Sequence, residues 1–519
     1  MKKTGYLLIF LFICFSLIVK GQTTFNKRCS FNTLATYLTS IIATDSCYYT
    51  TGIYADTVPF LQGGSLFVKL DLDGQPIFIK KLISPVQPYY TWTHTLTTLQ
   101  DGNFAVTGLT YDPVMKGMLL KYNQYGDTIW TKEYLNPFYP EQEFIHPLAM
   151  APMPDGGFVI ACWIEKTIAN GDIYLIKTNI LGNKEWGKVY GNTMWDKPLS
   201  ILITPENKIM IGAIRTNINT AAQHYTYQTH IFQVDSFGNM EWEYFSPTLG
   251  SLRDAANDMV LLEDGSLVVA SGVGTEYERS SVNVVWFEKM LFKLNPAHEL
   301  EWETTFMGDR PFVFTDLTNI IKLNDGSGFV AAGTTPAPDD NPDDEMYGSS
   351  GWVGKVSLEG DSIWTREYKI LTADIYTHDI IDLKETPDGG FILCGEAKDW
   401  TYEDTIPQQA WLLKLDEFGC LVPGCGVTAV FEEGIDRFRL DIFPNPTTDY
   451  LNIYFRSSQH ERQVSFRITD AKGRVIKTFQ NQRSDLTFIL PVWNWTPGIY
   501  FLQYLEDGKI RSVKRFIKQ

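Results

Sequence analysis

Asn123-Gln-Tyr-Gly126-Asp-Thr-Ile-Trp130 sets a polar turn ahead of an aromatic side chain, and the chain repeats this arrangement along most of its 519 residues. Upstream it occurs as Asp71-x-x-Gly74-x-x-x-Phe78. Downstream it returns as Asn179…Gly182…Trp186, Asp235…Gly238…Trp242, Asn295…His298…Trp302 and Ser357…Gly360…Trp364. The seventh copy, Asp416…Gly419…Pro423, lacks the aromatic. Recurrence at a nearly fixed period is the signature of a repeat architecture.

A second element precedes most of these turns. It reads Asp101-Gly-Asn-Phe104, Asp155-Gly-Gly-Phe158, Asp264-Gly-Ser-Leu267 and Asp388-Gly-Gly-Phe391. Asp325-Gly-Ser-Gly-Phe329 is one residue longer, and Glu206-Asn-Lys-Ile209 is a degenerate copy. Asp-Gly supplies the positive φ that a tight hairpin demands. The apolar run after it suits a strand covered on both faces. Each unit therefore reads as four short strands: a lead strand such as 95–99, the Asp-Gly strand, a strand ending Leu-x-Lys-Leu-Asp, and the Trp strand. One such sheet cannot bury both faces alone, and a radial arrangement solves this. The expectation is an all-β chain with a seven-bladed β-propeller over 22–426, followed by a small β-sandwich.

The turn-plus-Trp element resembles the tryptophan-docking motif of quinoprotein-like propellers, in which the indole packs between neighbouring blades. Phe25-Asn-Lys-Arg-Cys29 matches Trp130-Thr-Lys-Glu-Tyr134 and Trp364-Thr-Arg-Glu-Tyr368. It is expected to supply the outer strand missing from the last unit, which would remove an open sheet edge. The plainer alternative is a leader lying before the first unit.

Met1-Lys2-Lys3 precedes an apolar run over 6–19, then Lys20-Gly21. This is the pattern of a secretory signal peptide, 1–21, cleaved after Gly21. The run is too short to span a bilayer, and no other stretch is long enough, so no transmembrane span is expected in the mature chain. Cys14 follows Ile13 and matches a lipoprotein box poorly. Six further cysteines in an exported chain invite disulfides. Cys420 and Cys425 flank a Leu-Val-Pro-Gly turn and are expected to pair, with Cys29 and Cys47 as a second pairing. Cys162 and Cys394 lie in apolar strand patterns and read as buried thiols.

The net charge is −17, which argues against a nucleic-acid partner. Residues 436–519 differ, with 14 Lys/Arg against 8 Asp/Glu. A change of sign marks a second domain beyond a linker at 427–435. Alternating strands at 451–455, 464–469, 475–479 and 499–505 read as a small β-sandwich. Ile442-Phe-Pro444-Asn445-Pro446, Asp470-Ala-Lys-Gly473, Thr496-Pro-Gly498-Ile-Tyr500 and Val513-Lys514-Arg-Phe-Ile-Lys518 resemble the carboxyl-terminal sorting domain of type IX secretion. The resemblance implies passage through the outer membrane of a Bacteroidetes-type bacterium by that machinery. It also implies removal of the domain, and release or surface attachment of the remainder. The basic residues Lys509, Arg511, Lys514, Arg515 and Lys518 either face that partner or guard a strand edge.

No catalytic set can be chosen. A glycosidase pair is defined by a distance that repeat spacing does not report. GxSxG, HExxH, Walker and EF-hand patterns are missing. The adjacent cysteines of quinone dehydrogenases are missing too, so no quinone cofactor is expected. No His/Cys pair has zinc spacing, so no metal is assigned. Asp339-Asp-Asn-Pro-Asp-Asp-Glu345 is either a calcium loop or a solvated insertion. His94, His146 and His378 lie on or near lead strands, where they either gather at one channel mouth as a binding or metal ring or cap strands singly. Tyr89-Tyr90-Thr-Trp92 and Pro137-Phe138-Tyr139-Pro140 either stack on sugar rings or pack internally. The leading expectation is an exported, non-enzymatic module that binds a glycan or protein outside the cell. The alternatives are a secreted hydrolase or lyase acting on polysaccharide or peptide, and a surface-layer component.

Overall fold

A computed structural model describes residues 22–422 and 438–519 apart from loop segments, the longest being 307–316 and 337–347. The signal-peptide reading, the linker, the calcium loop, Trp92, Cys425 and the Pro444–Asn445–Pro446 and Gly473 positions lie outside the described residues. Every regular element described is a strand.

Among the described residues, seven sheets form in succession between Phe25 and Leu415, each with a lead strand, two middle strands and an outer strand. The lead strands are Ala35–Ala43, Ile145–Pro152, Asp196–Ile203, Asp258–Leu261, Leu317–Lys322 and Tyr376–Glu385 in all sheets but the second. In the second sheet the lead strand is split into Tyr89–Thr91 and Thr97–Thr98. His94 stands in the break at φ 55°, a left-handed backbone that interrupts pairing. Apolar residues fill the space between successive sheets. Ile160 and Cys162 of the third, for example, share a cluster with Ala105 and Leu119 of the second. The arrangement is propeller-like.

The repeated turn is built identically seven times. Its first residue offers one side-chain oxygen to two backbone N–H groups, two and four positions on. Asn123 Oδ1 accepts from Tyr125 and Asp127 at 2.9 Å each, and Asp416 Oδ1 from Phe418 at 2.9 Å and Cys420 at 2.7 Å. Ser357 does the same through its hydroxyl at 3.1 and 3.2 Å. This explains why Asp, Asn and Ser interchange at that position.

The aromatic residue then docks on the glycine of the following turn. A Cβ on Gly182 would lie 2.8 Å from the Trp130 ring, on Gly360 2.6 Å from Trp302, and on Gly419 2.6 Å from Trp364. Trp186 meets Gly238 in the same way and adds a 3.1 Å bond from its Nε1 to the Ser236 carbonyl. These glycines have φ of 70–85°, so both the backbone and the close approach require Gly. Four residues beyond the Trp, Tyr134, Tyr190 and Tyr368 each donate a hydroxyl to the same glycine's carbonyl at 2.5–2.7 Å. The first sheet departs: Gly126 is met by Phe67 and Lys80, while Phe78 packs on Phe67.

Phe25–Cys29 pairs antiparallel with Gln409–Leu415 as the outer strand of the last sheet. Phe25 stands opposite Lys414, the register in which Trp130 faces Lys121 and Trp364 faces Lys355. Its ring lies against Gly74, where a Cβ would approach to 2.6 Å. Leu38, Ile41 and Leu66 of the first sheet share a core with Ile392, Cys394 and Leu412 of the last.

Residues 438–518 form two further sheets. One holds Phe438–Phe443, Tyr450–Ser457 and Asp485–Pro491; the other holds Val475–Asn481, Val464–Asp470, Gly498–Glu506 and Lys509–Lys518. Leu451, Ile453 and Leu490 of the first meet Phe466, Ile468, Leu502 and Phe516 of the second in one core.

The cysteines correct one expectation. Cys29 and Cys47 are free thiols, because Cys29 packs on the face between the last and first sheets while Cys47 packs between the first and second. Cys162 and Cys394 are buried and free. Cys420 is disulfide-bonded.

Candidate functional site

The lead strands carry one equivalent position, opposite the fourth residue of the middle strand they pair with. Ser40, Ala149, Ser200, Asp258, Asn319 and Asp382 face Thr51, Ala161, Gly212, Ala270, Ala332 and Cys394 respectively. Thr95 completes the set, with its hydroxyl 3.1 Å from the Thr107 carbonyl. Five of the strands bulge by one residue immediately before this position. A bulge re-aims the side chain that follows it. Six of the seven residues in this layer are polar.

Asp382 is the hub of the layer. Its Oδ2 accepts from Ser40 Oγ at 2.9 Å and the Ile41 N–H at 2.8 Å, both in the first sheet. Its Oδ1 accepts from Lys384 Nζ at 2.6 Å, the Leu383 N–H at 2.9 Å and Asn319 Nδ2 at 3.3 Å. His94 Nδ1 lies 3.6 Å from the same oxygen and 3.1 Å from Asn319 Nδ2. Burial opposes ionisation of Asp382, but Lys384 and His94 outweigh it and hold the carboxyl well below the usual range. Asp258 accepts from the Ile320 and Met259 N–H groups at 2.9 Å each, and burial pushes its carboxyl up. The layer thus ties the first, second, fifth, sixth and seventh sheets together with its acceptors largely occupied.

Three residues before Asp382 along its strand, Asp379 stands directly opposite Glu396. The two carboxyls hydrogen-bond each other. Ser349 Oγ at 3.3 Å and Thr334 Oγ1 at 3.4 Å approach Asp379, and Gln408 donates to Glu396. Burial, then the charge of Asp379, pushes Glu396 up to about 7. Like charges facing across a ladder repel, which adds to burial in favouring the protonated form of the pair.

The three histidines do not form one site. His378 is fully buried, and its Nε2 accepts the N–H groups of Ile370 and Leu371 at 3.0 Å each while Nδ1 bonds the Ser349 carbonyl at 3.0 Å. Burial pushes it down to about 4, which keeps it a neutral strand cap. His146 nests against Phe144 and Trp163, with ring centroids at 4.7 and 6.0 Å, and burial pushes it down to about 4 as well. Only His94 joins the axial layer. Among the described residues, no three His, Cys, Asp or Glu side chains stand together as a metal site.

Tyr89 and Tyr90 lie on the inner half-strand that pairs with Leu109 and Thr110. Phe138 and Tyr139 are exposed, and Lys166 lies over the Phe138 ring at 5.4 Å. In the carboxyl-terminal sheets Gly498 pairs with Lys518 and Lys514 with Leu502, and the Tyr500 hydroxyl donates to the Thr496 carbonyl at 2.8 Å. Sequence reading missed Asp382, Asn319, Asp258, Asp379 and Glu396. The only signal available was a charged residue inside an apolar lead strand, Ile380-Ile-Asp-Leu383.

Residues 441–519 match the secretion system C-terminal sorting domain. That domain indicates secretion with surface attachment or release, and implies interaction with the type IX secretion machinery. No curated protein matches the chain. Among solved structures, Drosophila Semaphorin 2a is similar over 96% of this chain and 98% of its own, at 8% identity and a TM-score of 0.45. A PL25 ulvan lyase is similar over 76% of this chain and 96% of its own, at 9% identity and a TM-score of 0.45. Likeness at this level carries no activity across.

Proposed function

We propose that residues 22–426 form one closed seven-bladed β-propeller of the quinoprotein-like kind, exported by type IX secretion, which binds a glycan or protein outside the cell without transforming it. Residues 436–519 are its sorting domain, read by the secretion machinery and joined through 427–435. The observation that carries the non-enzymatic reading is how fully the buried polar groups of the lead strands are engaged within the protein. Asp382 accepts five hydrogen bonds within the protein, and the His378 nitrogens are spent on backbone groups. Groups so engaged stabilise the ring and leave little free for a reacting atom. Ligand recognition then falls to the loops that join sheets and middle strands, as is usual where a rigid scaffold presents variable connections.

A hydrolase or lyase remains the second reading, favoured by the facing carboxyls of Asp379 and Glu396, both pushed up by burial. A group pushed up to about 7 is poised for acid–base work. Against it, the carboxyls touch each other, whereas a glycosidase pair stands roughly 5 Å or more apart. The test is a glycan and protein array on the full chain, with hydrolysis and elimination assayed on every glycan bound. Binding without product supports the first reading. Turnover abolished by Glu396→Gln establishes the second.

A further inference from the structure

At the turn end of the sheets, glycine holds the positive-φ position almost everywhere. Gly74, Gly126, Gly182, Gly238, Gly360 and Gly419 do so in the docking turns, and Gly102, Gly156, Gly265, Gly326 and Gly389 in the Asp-Gly hairpins. Two residues break the rule: Asn207 at φ 64° and His298 at φ 63°. A side chain in the left-handed region costs stability that glycine would avoid. His298 lines a groove of about 660 Å³ between the fourth and fifth sheets, and the chain neighbours of Asn207, Glu206 and Lys208, line it too. Its size falls within the range of small-ligand sites.

His298 changes the docking contact there. Elsewhere the indole meets bare glycine; here the imidazole lies over Trp242 with centroids 3.8 Å apart and planes 21° from parallel. The exposed imidazole and the indole together give the groove an aromatic wall. Glu206, Glu241, Lys208 and Gln233 line it as well, with Leu261 and Leu262 as apolar neighbours. Lys208 Nζ is held by Glu241 at 2.7 Å, and Gln233 donates to the same carboxylate at 2.8 Å. Lys208 is therefore neutralised within the groove, Glu263 at the rim lies 3.7 Å from Lys322 Nζ, and Glu206 adds a further negative charge.

We propose that this groove is a second binding site, for a neutral glycan, at the end of the molecule opposite the variable loops. An aromatic wall beside carboxylate and amide acceptors suits a ring with an apolar face and hydroxyl donors. The carboxylates disfavour acidic polysaccharides by like-charge repulsion. Retaining His298 at a cost in stability, where sister turns use glycine, is what selection for a ligand would leave.

The test uses the full chain, its His298→Gly variant and a loop-end variant, Phe138→Ala. Cellohexaose, mannohexaose, chitohexaose and polygalacturonate are titrated by calorimetry, and Tm is recorded for each protein. The inference expects a neutral hexasaccharide to bind, His298→Gly to weaken it by at least about tenfold, or 1.4 kcal/mol, and Tm to stay level or rise. Phe138→Ala should leave this binding unchanged. Unchanged affinity in His298→Gly, preference for polygalacturonate, or no binding of any neutral probe overturns it. Neutral binding lost only in Phe138→Ala also overturns it, while supporting the loop-end reading of function.

Discussion

The two ends of the propeller-like body are built from the same strands but under opposite rules. At the turn end, the seven docking turns share one hydrogen-bond scheme, and their docking contact departs only at Phe78 and His298. At the loop end, the connections differ in length and composition from sheet to sheet, and Asp379, Glu396, Phe144 and Phe138 have no repeat equivalents. The contrast teaches that the repeated contact between neighbouring sheets sits at one end, which frees the connections at the other to diverge.

Four experiments would break or sharpen that contrast. Between the two ends, Asp382→Ala should cost most, about 3–5 kcal/mol, because it strands Lys384 and several donors beside a vacated carboxylate. Chemical denaturation measures this, and a loss below about 1 kcal/mol would show that the axial layer does not hold the sheets. At the turn end, Trp364→Ala removes a half-buried indole from Gly419 and should cost about 2–4 kcal/mol. An equal loss from any exposed loop aromatic would erase the contrast.

Near the loop end, the pH dependence carries a sign. Glu396 has a raised value in the folded state, so its contribution is fully present below its ordinary value of 4.5 and is lost as pH rises toward about 7. The slope is up to roughly 1.4 kcal/mol per pH unit. His378 and His146 act oppositely, weakening the fold as pH falls from 6.5 toward about 4. Glu396→Gln should therefore flatten the wild-type decline between pH 4.5 and 7 and leave the acid limb intact, as read by Tm against pH. An unchanged profile would mean that Glu396 is not raised in the folded state. The smallest effect belongs to Phe138→Ala, 43% exposed, at within about 0.5 kcal/mol of wild type.

What could be read from the sequence divides along the same line. The docking turns were legible because a fixed hydrogen-bond scheme forces Asp, Asn or Ser, then Gly, then an aromatic, at constant offsets. Phe25 was legible as an outer-strand residue for the same reason, through its match to Trp130 and Trp364. Asp382 was not, because a bulge at Ile381 shifts which residue of the lead strand faces inward, and a one-residue slip reverses every side chain. Asp379 and Glu396 are 17 positions apart and meet only through ladder register. His378 reads in the sequence as a candidate ligand, yet its nitrogens serve backbone groups that no sequence pattern announces. The Cys29–Cys47 pairing failed because Cys29 belongs to the outer strand of the last sheet, and the first sheet stands between it and Cys47.

Ring closure by Phe25–Cys29 is the claim on which the rest stands, and amide hydrogen exchange read by mass spectrometry tests it most directly. The account predicts that the amides of 25–29 exchange as slowly as those of the equivalent outer strand Ser362–Tyr368, and that protection of Gln409–Leu415 falls when Phe25–Cys29 is deleted. Exchange of 25–29 at the rate of an unpaired segment, with Gln409–Leu415 indifferent to the deletion, would contradict it.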